Sequence, residues 1–165
     1  MQKSFKMREI KGDLFDSSDC LAHCVSRDFN MSAGIAKEFS YRYGRVAELI
    51  RQNPQIGGVA SLDVDDGYKY VFYLVTKEKY WQKPTMEAFT RCLESLRDDC
   101  ISKDMNRLSI PHIGCGLDGL NWDVVKKEIV NVFSDTPIRI TVYTPIQKNP
   151  NFSKSAMTKR ILHSF

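Results

Sequence analysis

The chain has 165 residues, 42% of them apolar and 27% charged, with a formal net charge of +4 at pH 7. That size suits one domain with a real core, and that balance excludes a disordered or fibrous chain. The mild positive charge suits an anionic small ligand or weak nucleic-acid contact. No dense basic stripe marks a dedicated DNA reader, and no apolar run approaches the length of a membrane span.

Residues Met1 to Lys6 lack the apolar core of a signal peptide, so a secreted protein is not expected. Phe5, Met7 and Ile10 alternate in part and predict a first strand, which ends in a turn at Lys11-Gly12-Asp13-Leu14-Phe15. After the polar break Asp16 to Asp19, Cys20-Leu21-Ala22-His23-Cys24-Val25 is nearly continuous in apolar character, as in a strand buried on both faces. A loop from Ser26 to Ser32 leads to a helix in which Ile35, Phe39 and Tyr43 share a face, with Ser32 as its N-cap. Gly34, in the first turn of that helix, leaves room for a ligand to meet bare backbone. A second short helix, Val46 to Arg51, stops at Asn53-Pro54.

Val59 to Val64 alternates, and Asp65-Asp66-Gly67 signals a hairpin. The returning strand, Tyr70 to Val75, is aromatic and β-branched and closes at Thr76-Lys77. Pro84-Thr85 sets up the longest helix, with Phe89, Leu93, Leu96 and Cys100 on one face. Arg107 to Ile110 reads as a further strand, and Asn121 caps a helix marked by Val125, Ile129, Val132 and Phe133. Ile138 to Tyr143 is the closing strand. Strands alternating with helices around one hairpin predict a three-layer α/β/α domain with a mixed central sheet.

Between the strand at Arg107 and the helix after Asn121 lies Ile110-Pro111-His112-Ile113-Gly114-Cys115-Gly116-Leu117-Asp118-Gly119. A glycine-rich turn from a strand to a helix presents backbone N–H groups to an anion, usually a phosphate. Asp118 would repel that anion unless it has another task, such as acid/base chemistry; an ordinary turn between strand and helix is the alternative. Four segments converge beyond the carboxyl ends of the strands, where ligands bind in such folds: Gly12 to Leu14, Ser26 to Ile35, Lys77, and His112 to Asp118. The five cysteines (Cys20, Cys24, Cys92, Cys100 and Cys115) read as reduced thiols of a cytosolic or nuclear protein. Cys20, His23 and Cys24 have metal-ligand chemistry, but no second cluster completes a site. No metal is expected, and His23 reads as a histidine of the core or just behind the site.

Taken together, Lys11 to Phe15, Leu21 to Ser26, Ala33 to Ala36, Thr76-Lys77 and Pro111 to Asp118 resemble the macrodomain superfamily. Within it they are most similar to the terminal ADP-ribose protein glycohydrolases, also described as O-acetyl-ADP-ribose deacetylases. The resemblance covers about residues 6 to 144, and its specific part is the combination of Ser26, Lys77 and Asp118. It implies a macrodomain over residues 1–145 with a C-terminal extension, 146–165. Asp13 would receive the adenine amino group, with Leu14 beside the ring. Ala33, Gly34 and Ile35 would contact the diphosphate and distal ribose through their backbone, and His112, Ile113, Gly114, Cys115, Gly116 and Leu117 would wrap the second phosphate. Pro145 would touch the substrate. Lys77 would attack the anomeric carbon of the distal ribose, Asp118 would resolve the intermediate, and Ser26 would position ribose or the acyl group.

The implied activity is removal of mono-ADP-ribose, ester-linked to glutamate or aspartate, with deacylation of O-acetyl-ADP-ribose by the same pocket and no cofactor. The expected partners are ADP-ribose, mono-ADP-ribosylated proteins and O-acetyl-ADP-ribose, with ADP-ribosylated nucleic acid left open. A monomer, nuclear or cytoplasmic, is expected, away from membranes. Two departures stand out: Ser32 occupies a position often held by a further glycine, and His112 replaces a common arginine. An ordinary lysine is almost wholly protonated at pH 7, so as a nucleophile Lys77 needs desolvation or a neighbour such as Asp118 to take its proton. The residues also admit plainer roles: Lys77 closing a strand beside phosphate, Asp118 at a helix start, and Ser26 in a turn. A non-catalytic ADP-ribose reader and a phosphatase acting on ADP-ribose phosphate are therefore the rival classes.

Overall fold

A computed structural model describes residues 4–116 and 118–146. Leu117, expected at the phosphate, and the chain from 147 onward lie outside the described residues. The strands are β1 (Lys6–Lys11), β2 (Cys20–Ser26), β3 (Val59–Asp63), β4 (Tyr70–Lys77), β5 (Arg107–Ile110) and β6 (Arg139–Thr144). The helices are α1 (Gly34–Tyr43), α2 (Val46–Arg51), α3 (Met86–Ser102) and α4 (Trp122–Phe133). The sheet runs β1-β6-β5-β2-β4-β3, and every neighbouring pair is parallel except the hairpin β3–β4.

Side chains of a strand alternate between faces, and here each face meets its own helices. Cys20 and Ala22 of β2 join Phe72 and Leu74 of β4 beneath Phe89, Leu93 and Leu96 of α3 and Val125, Ile129 and Phe133 of α4. Leu21 and Val25, with Val71, Tyr73 and Val75, pack on the other face against Phe39 of α1 and Leu49 of α2. The result is the expected three-layer arrangement around a mixed sheet. No helix among the described residues is long and apolar enough to cross a membrane.

Local chemistry sets most helix starts. Thr85 accepts the Ala88 N–H at the head of α3, and Asn121 accepts the N–H groups of Asp123 and Val124 at the head of α4, satisfying donors that have no partner within the helix. The cap expected at Ser32 does not form. Gly34 enters α1 with φ of 61°, which moves the start past Ser32 and makes Ala33 the cap position, with no side-chain hydrogen bond. Ile35, expected on the apolar face of this helix, is 37% exposed, whereas Phe39 is fully buried.

His23 is a core residue. Its ring stacks on Phe39 at 3.7 Å between centroids and meets Tyr73 edge-on at 4.8 Å. Cys20 and Cys24 belong to the opposite face of the sheet, so alternation separates this histidine from the two cysteines that accompany it in sequence. Neither ring nitrogen has a hydrogen-bond partner, and burial holds its pKa down to about 3. The unfolded chain takes up this proton near pH 6.5 while the native protein resists until about pH 3. The neutral ring therefore contributes its full share of stability above pH 6.5, and that share is lost as pH falls toward 3. Between those values wild type should lose about 1.4 kcal/mol per pH unit relative to His23→Phe, for one proton. Urea denaturation across pH 4 to 7 measures this, and parallel profiles for the two proteins would contradict it.

Candidate active site

The crevice follows from the topology. The connection after β2 leaves toward β4 and that after β5 leaves toward β6, so the two strands flank a switch point, where ligands of open α/β sheets bind. Pairing between them is short, with only Cys20–Leu108 and Leu21–Ser109 in register. Beyond those pairs β2 continues to Ser26 while β5 gives way to the glycine loop.

Ser26 and Lys77 lie opposite one another at the ends of β2 and β4, past a register shift after Val25, and the Arg27 N–H bonds the Lys77 carbonyl at 2.8 Å. Ser26 is buried and its hydroxyl donates to the Asp28 carboxylate. With that proton committed, the Ser26 oxygen is set to accept from a ligand hydroxyl. Burial pushes Asp28 upward, but the Ser26 hydroxyl, the N–H groups of Asn30 and Tyr80 and the charge of Lys79 outweigh it and hold its carboxyl below the ordinary value. Asp28 is thus an anion at neutral pH.

Across the crevice, Lys77 Nζ donates to Asp118 Oδ1 at 2.5 Å, and the two side chains are only 12% and 14% exposed. Residues 41 apart in sequence are brought into direct proton-transfer contact. The loop carrying Asp118 is held by its own backbone: Cys115 N–H to the His112 carbonyl, Gly119 N–H to the Gly116 carbonyl, and Leu120 N–H to the Gly114 carbonyl. Gly114 has φ of 74°, and a Cβ there would lie 2.8 Å from Leu120 Cδ1. At Gly116 a Cβ would meet nothing within 4 Å. The left-handed backbone therefore favours a glycine at 114, with the Leu120 side chain close by, and the space beside 116 is open.

A second network anchors the start of the loop. His112 stacks on Trp122 at 4.4 Å and its Nε2 lies 3.2 Å from Thr144 Oγ1. Trp122 Nε1 donates to Glu9, and Glu9 pairs with Lys126 at 2.8 Å. The hydrogen bond from Lys126 is the largest influence on the Glu9 carboxyl, which is held below its ordinary value. The imidazole of His112 is thus occupied with the protein itself.

Ala33, Gly34 and Ile35 are all exposed at the uncapped start of α1. Ile113 is buried and Cys115 half-buried. Burial is the main cause that raises the thiols of Cys24 and Cys115, and the Asp118 carboxylate pushes both further. Both remain thiols at neutral pH, which removes them as nucleophiles. Asp13 stands at the far end of the row: Oδ1 accepts the Phe15 N–H at 2.9 Å, capping a short 3-10 turn at Leu14–Asp16. It therefore has a local task besides the one expected at adenine, and Leu14 is buried in the core. Gly12 N–H bonds the Thr144 carbonyl, which brings Asp13 beside the exposed Pro145. From β1 to β4 there are four strand spacings of about 4.8 Å each, roughly 19 Å in all. Asp13 and Lys77 therefore mark two ends of an elongated crevice. The sequence reading missed Asp28, Glu9, Trp122 and Thr144; an aspartate two residues after a strand-ending serine was the one local signal available.

Comparison with solved structures defines the class. The macrodomain of Thermus aquaticus DarG superposes with a TM-score of 0.77 at 22% identity, covering 86% of this chain and all of that one. Thermosipho africanus DarTG in complex with ADP-ribose gives 0.74 at 19% identity, over 87% of this chain and 43% of the other. The fold is a macrodomain. In sequence, human ADP-ribose glycohydrolase OARD1 is 45% identical over 137 residues, which is 82% of this chain and 89% of the relative. The chain belongs to the same macrodomain family as that enzyme. No family model matches it.

Gly114→Ala should lower stability by about 1–2 kcal/mol, the cost of an L side chain in the left-handed region, with the Leu120 contact added. Gly116→Ala should stay within about 0.5 kcal/mol of wild type. Denaturant titrations of the two variants check the contrast, and equal losses would contradict it.

Proposed function

We propose that this protein is a hydrolase that releases ADP-ribose from glutamate and aspartate side chains through a lysyl intermediate. The contact between Lys77 Nζ and Asp118 Oδ1 carries the reading. A binding module needs the glycine loop and the start of α1, but it has no use for an enclosed amine held against a carboxylate. The similarity to a relative named ADP-ribose glycohydrolase and to a fold neighbour solved with ADP-ribose supports the ligand. The row from Asp13 to Lys77 has room for the two ends of that molecule.

Asp118 takes a proton from Lys77, and the neutral amine attacks the anomeric carbon of the distal ribose. A C–N bond forms, the ester C–O bond breaks, and the acceptor carboxylate leaves with the bonding pair. Water then adds at the same carbon, the sugar passing through its open form. The C–N bond breaks with a proton returned from Asp118, and free ADP-ribose and the lysine are regenerated. Ser26, its own proton given to Asp28, accepts from a ribose hydroxyl and fixes the angle of attack. The same pocket would accept O-acetyl-ADP-ribose and remove its acyl group. We take residues 1–145 as the catalytic domain and the working species as a monomer.

The test is release of free ADP-ribose from a glutamate-linked mono-ADP-ribosylated protein. Wild type should release it. Lys77→Ala should lose at least about 100-fold, on the scale of removing a nucleophile, while still binding ADP-ribose by calorimetry. Asp118→Ala should lose turnover as well: Lys77 then gives its proton only to water, so attack is slow, and the adduct that does form lacks the group that resolves it and should persist as added mass on the intact protein. Equal binding with no turnover by any of the three proteins would leave a reader of ADP-ribose instead.

Asp28→Asn should act on the same assay through Ser26. It replaces an anionic acceptor with a neutral one, so the expected result is a fall in kcat of about tenfold, one charge-assisted hydrogen bond's worth, with ADP-ribose affinity nearly kept. An unchanged kcat would remove Ser26 from the positioning role.

A further inference from the structure

Beyond the crevice, the ends of β2 and β4 border a second concavity of about 230 Å³, between the loop after β2 and the turn after α2. We propose that it holds the polypeptide that flanks the modified carboxylate, so that this protein reads its acceptor as well as its ADP-ribose. The inference rests on the glycohydrolase reading and extends it to the leaving side of the bond.

Placement is the first argument. The nucleotide runs along the sheet edge from β1 toward β4, and the bond to be cut lies at Lys77. The leaving group must therefore continue past Lys77, away from the pyrophosphate. What comes next along that edge is this concavity, whose wall includes Glu78 and Lys79, the two residues that follow the nucleophile. The same side carries Arg27 to Phe29, joined to the reaction centre by the Arg27 N–H on the Lys77 carbonyl and the Phe29 N–H on the Ser26 carbonyl, and Ile50, Asn53 and Pro54, of α2 and the turn after it, complete the lining. Asp28 serves both compartments: it accepts from Ser26 on one side and lines the concavity on the other.

Backbone conformation points the same way. Phe29 and Asn53, on facing walls, both lie in the left-handed region, with φ of 53° and 49°. A phenylalanine there is costly, and such conformations cluster where a surface has a task.

Charge decides the class of occupant. The walls carry two cations, Arg27 and Lys79, and two carboxylates, Asp28 and Glu78. Arg27 and Glu78 sit 3.4 Å apart with more than a third of each side chain exposed, a contact weak enough to be exchanged for one with a partner. A phosphodiester backbone would meet two carboxylates. A polypeptide, with N–H and C=O groups to offer, finds both acceptors and donors there. Ile50 adds an apolar surface that is 53% exposed, and Tyr80 and Trp81, next in the chain, are 52% and 69% exposed. Tyrosine and tryptophan are the side chains that most often anchor protein contacts.

The experiment uses the full chain and two variants on separate elements, Ile50→Trp to fill the concavity and Glu78→Lys to reverse a wall charge. Three measurements are made: ADP-ribose affinity, turnover of O-acetyl-ADP-ribose, and turnover of a peptide mono-ADP-ribosylated on glutamate. For each variant KM for the peptide should rise about tenfold, while ADP-ribose affinity and O-acetyl-ADP-ribose turnover stay within about twofold. Unchanged peptide turnover in both variants overturns the proposal, as does an equal fall on all substrates. A selective loss on an ADP-ribosylated oligonucleotide, with the peptide unaffected, overturns it in favour of a nucleic-acid acceptor. Wild type that binds ADP-ribose but turns over none of these substrates fails differently, by removing the glycohydrolase reading on which this one stands.

Discussion

The early parting of β2 from β5 is the constraint on which everything else depends. Two parallel strands that stay paired to their ends would bring their loops together and leave no crevice. Here pairing stops at Leu21 and Ser109, and the gap is closed at its far side by one ammonium–carboxylate contact, Lys77 to Asp118. Both groups are largely withdrawn from water, so each relies on the other for the solvation it has lost.

Such a pair requires rigid supports, and each partner has its own. Lys77 ends β4, whose preceding residues from Val71 to Thr76 are all buried between the two helical layers. Asp118 rides on a loop with no regular structure, held by backbone bonds within it, by the Leu120 side chain over Gly114, and by the His112–Trp122–Glu9 network that ties it to α4 and β1. His112 is part of that support.

The arrangement divides the crevice by function. Its β1 end, with Asp13 and Pro145, is built from strand termini and a capped turn. Its β4 end holds the reacting pair, with Ser26 steered by Asp28. Beyond it lies the concavity with mixed charges. On the reading proposed above, a substrate joined at the anomeric carbon would span all three regions, and its two halves would meet different residues on either side of Lys77.

Much of this was legible in the residues themselves, because local chemistry produces it. Period-two and near-continuous apolar runs marked all six strands, and Thr85 and Asn121 announced their helices through side chains that reach only two or three residues. The glycine loop was visible as glycines, and Ser26, Lys77 and Asp118 as members of a shared pattern. Where local logic failed it was overruled by backbone geometry: Ser32 has the chemistry of a cap, but the left-handed Gly34 placed the helix start beyond its reach. His23 sits one residue from Cys24 in sequence and on the other side of the sheet from it in space.

What required the tertiary structure were the contacts made across long stretches of chain. That Lys77 and Asp118 touch, that Glu9 and Trp122 hold His112, and that the loop after β2 and the turn after α2 enclose a concavity depend on strand order and on where pairing stops. Neither is written in any short window, because burial rewards the whole sheet and not any single pair. The sequence by itself determined which elements form and which groups are candidates for the chemistry. The packing of the two helical layers onto one split sheet decided which of those groups meet.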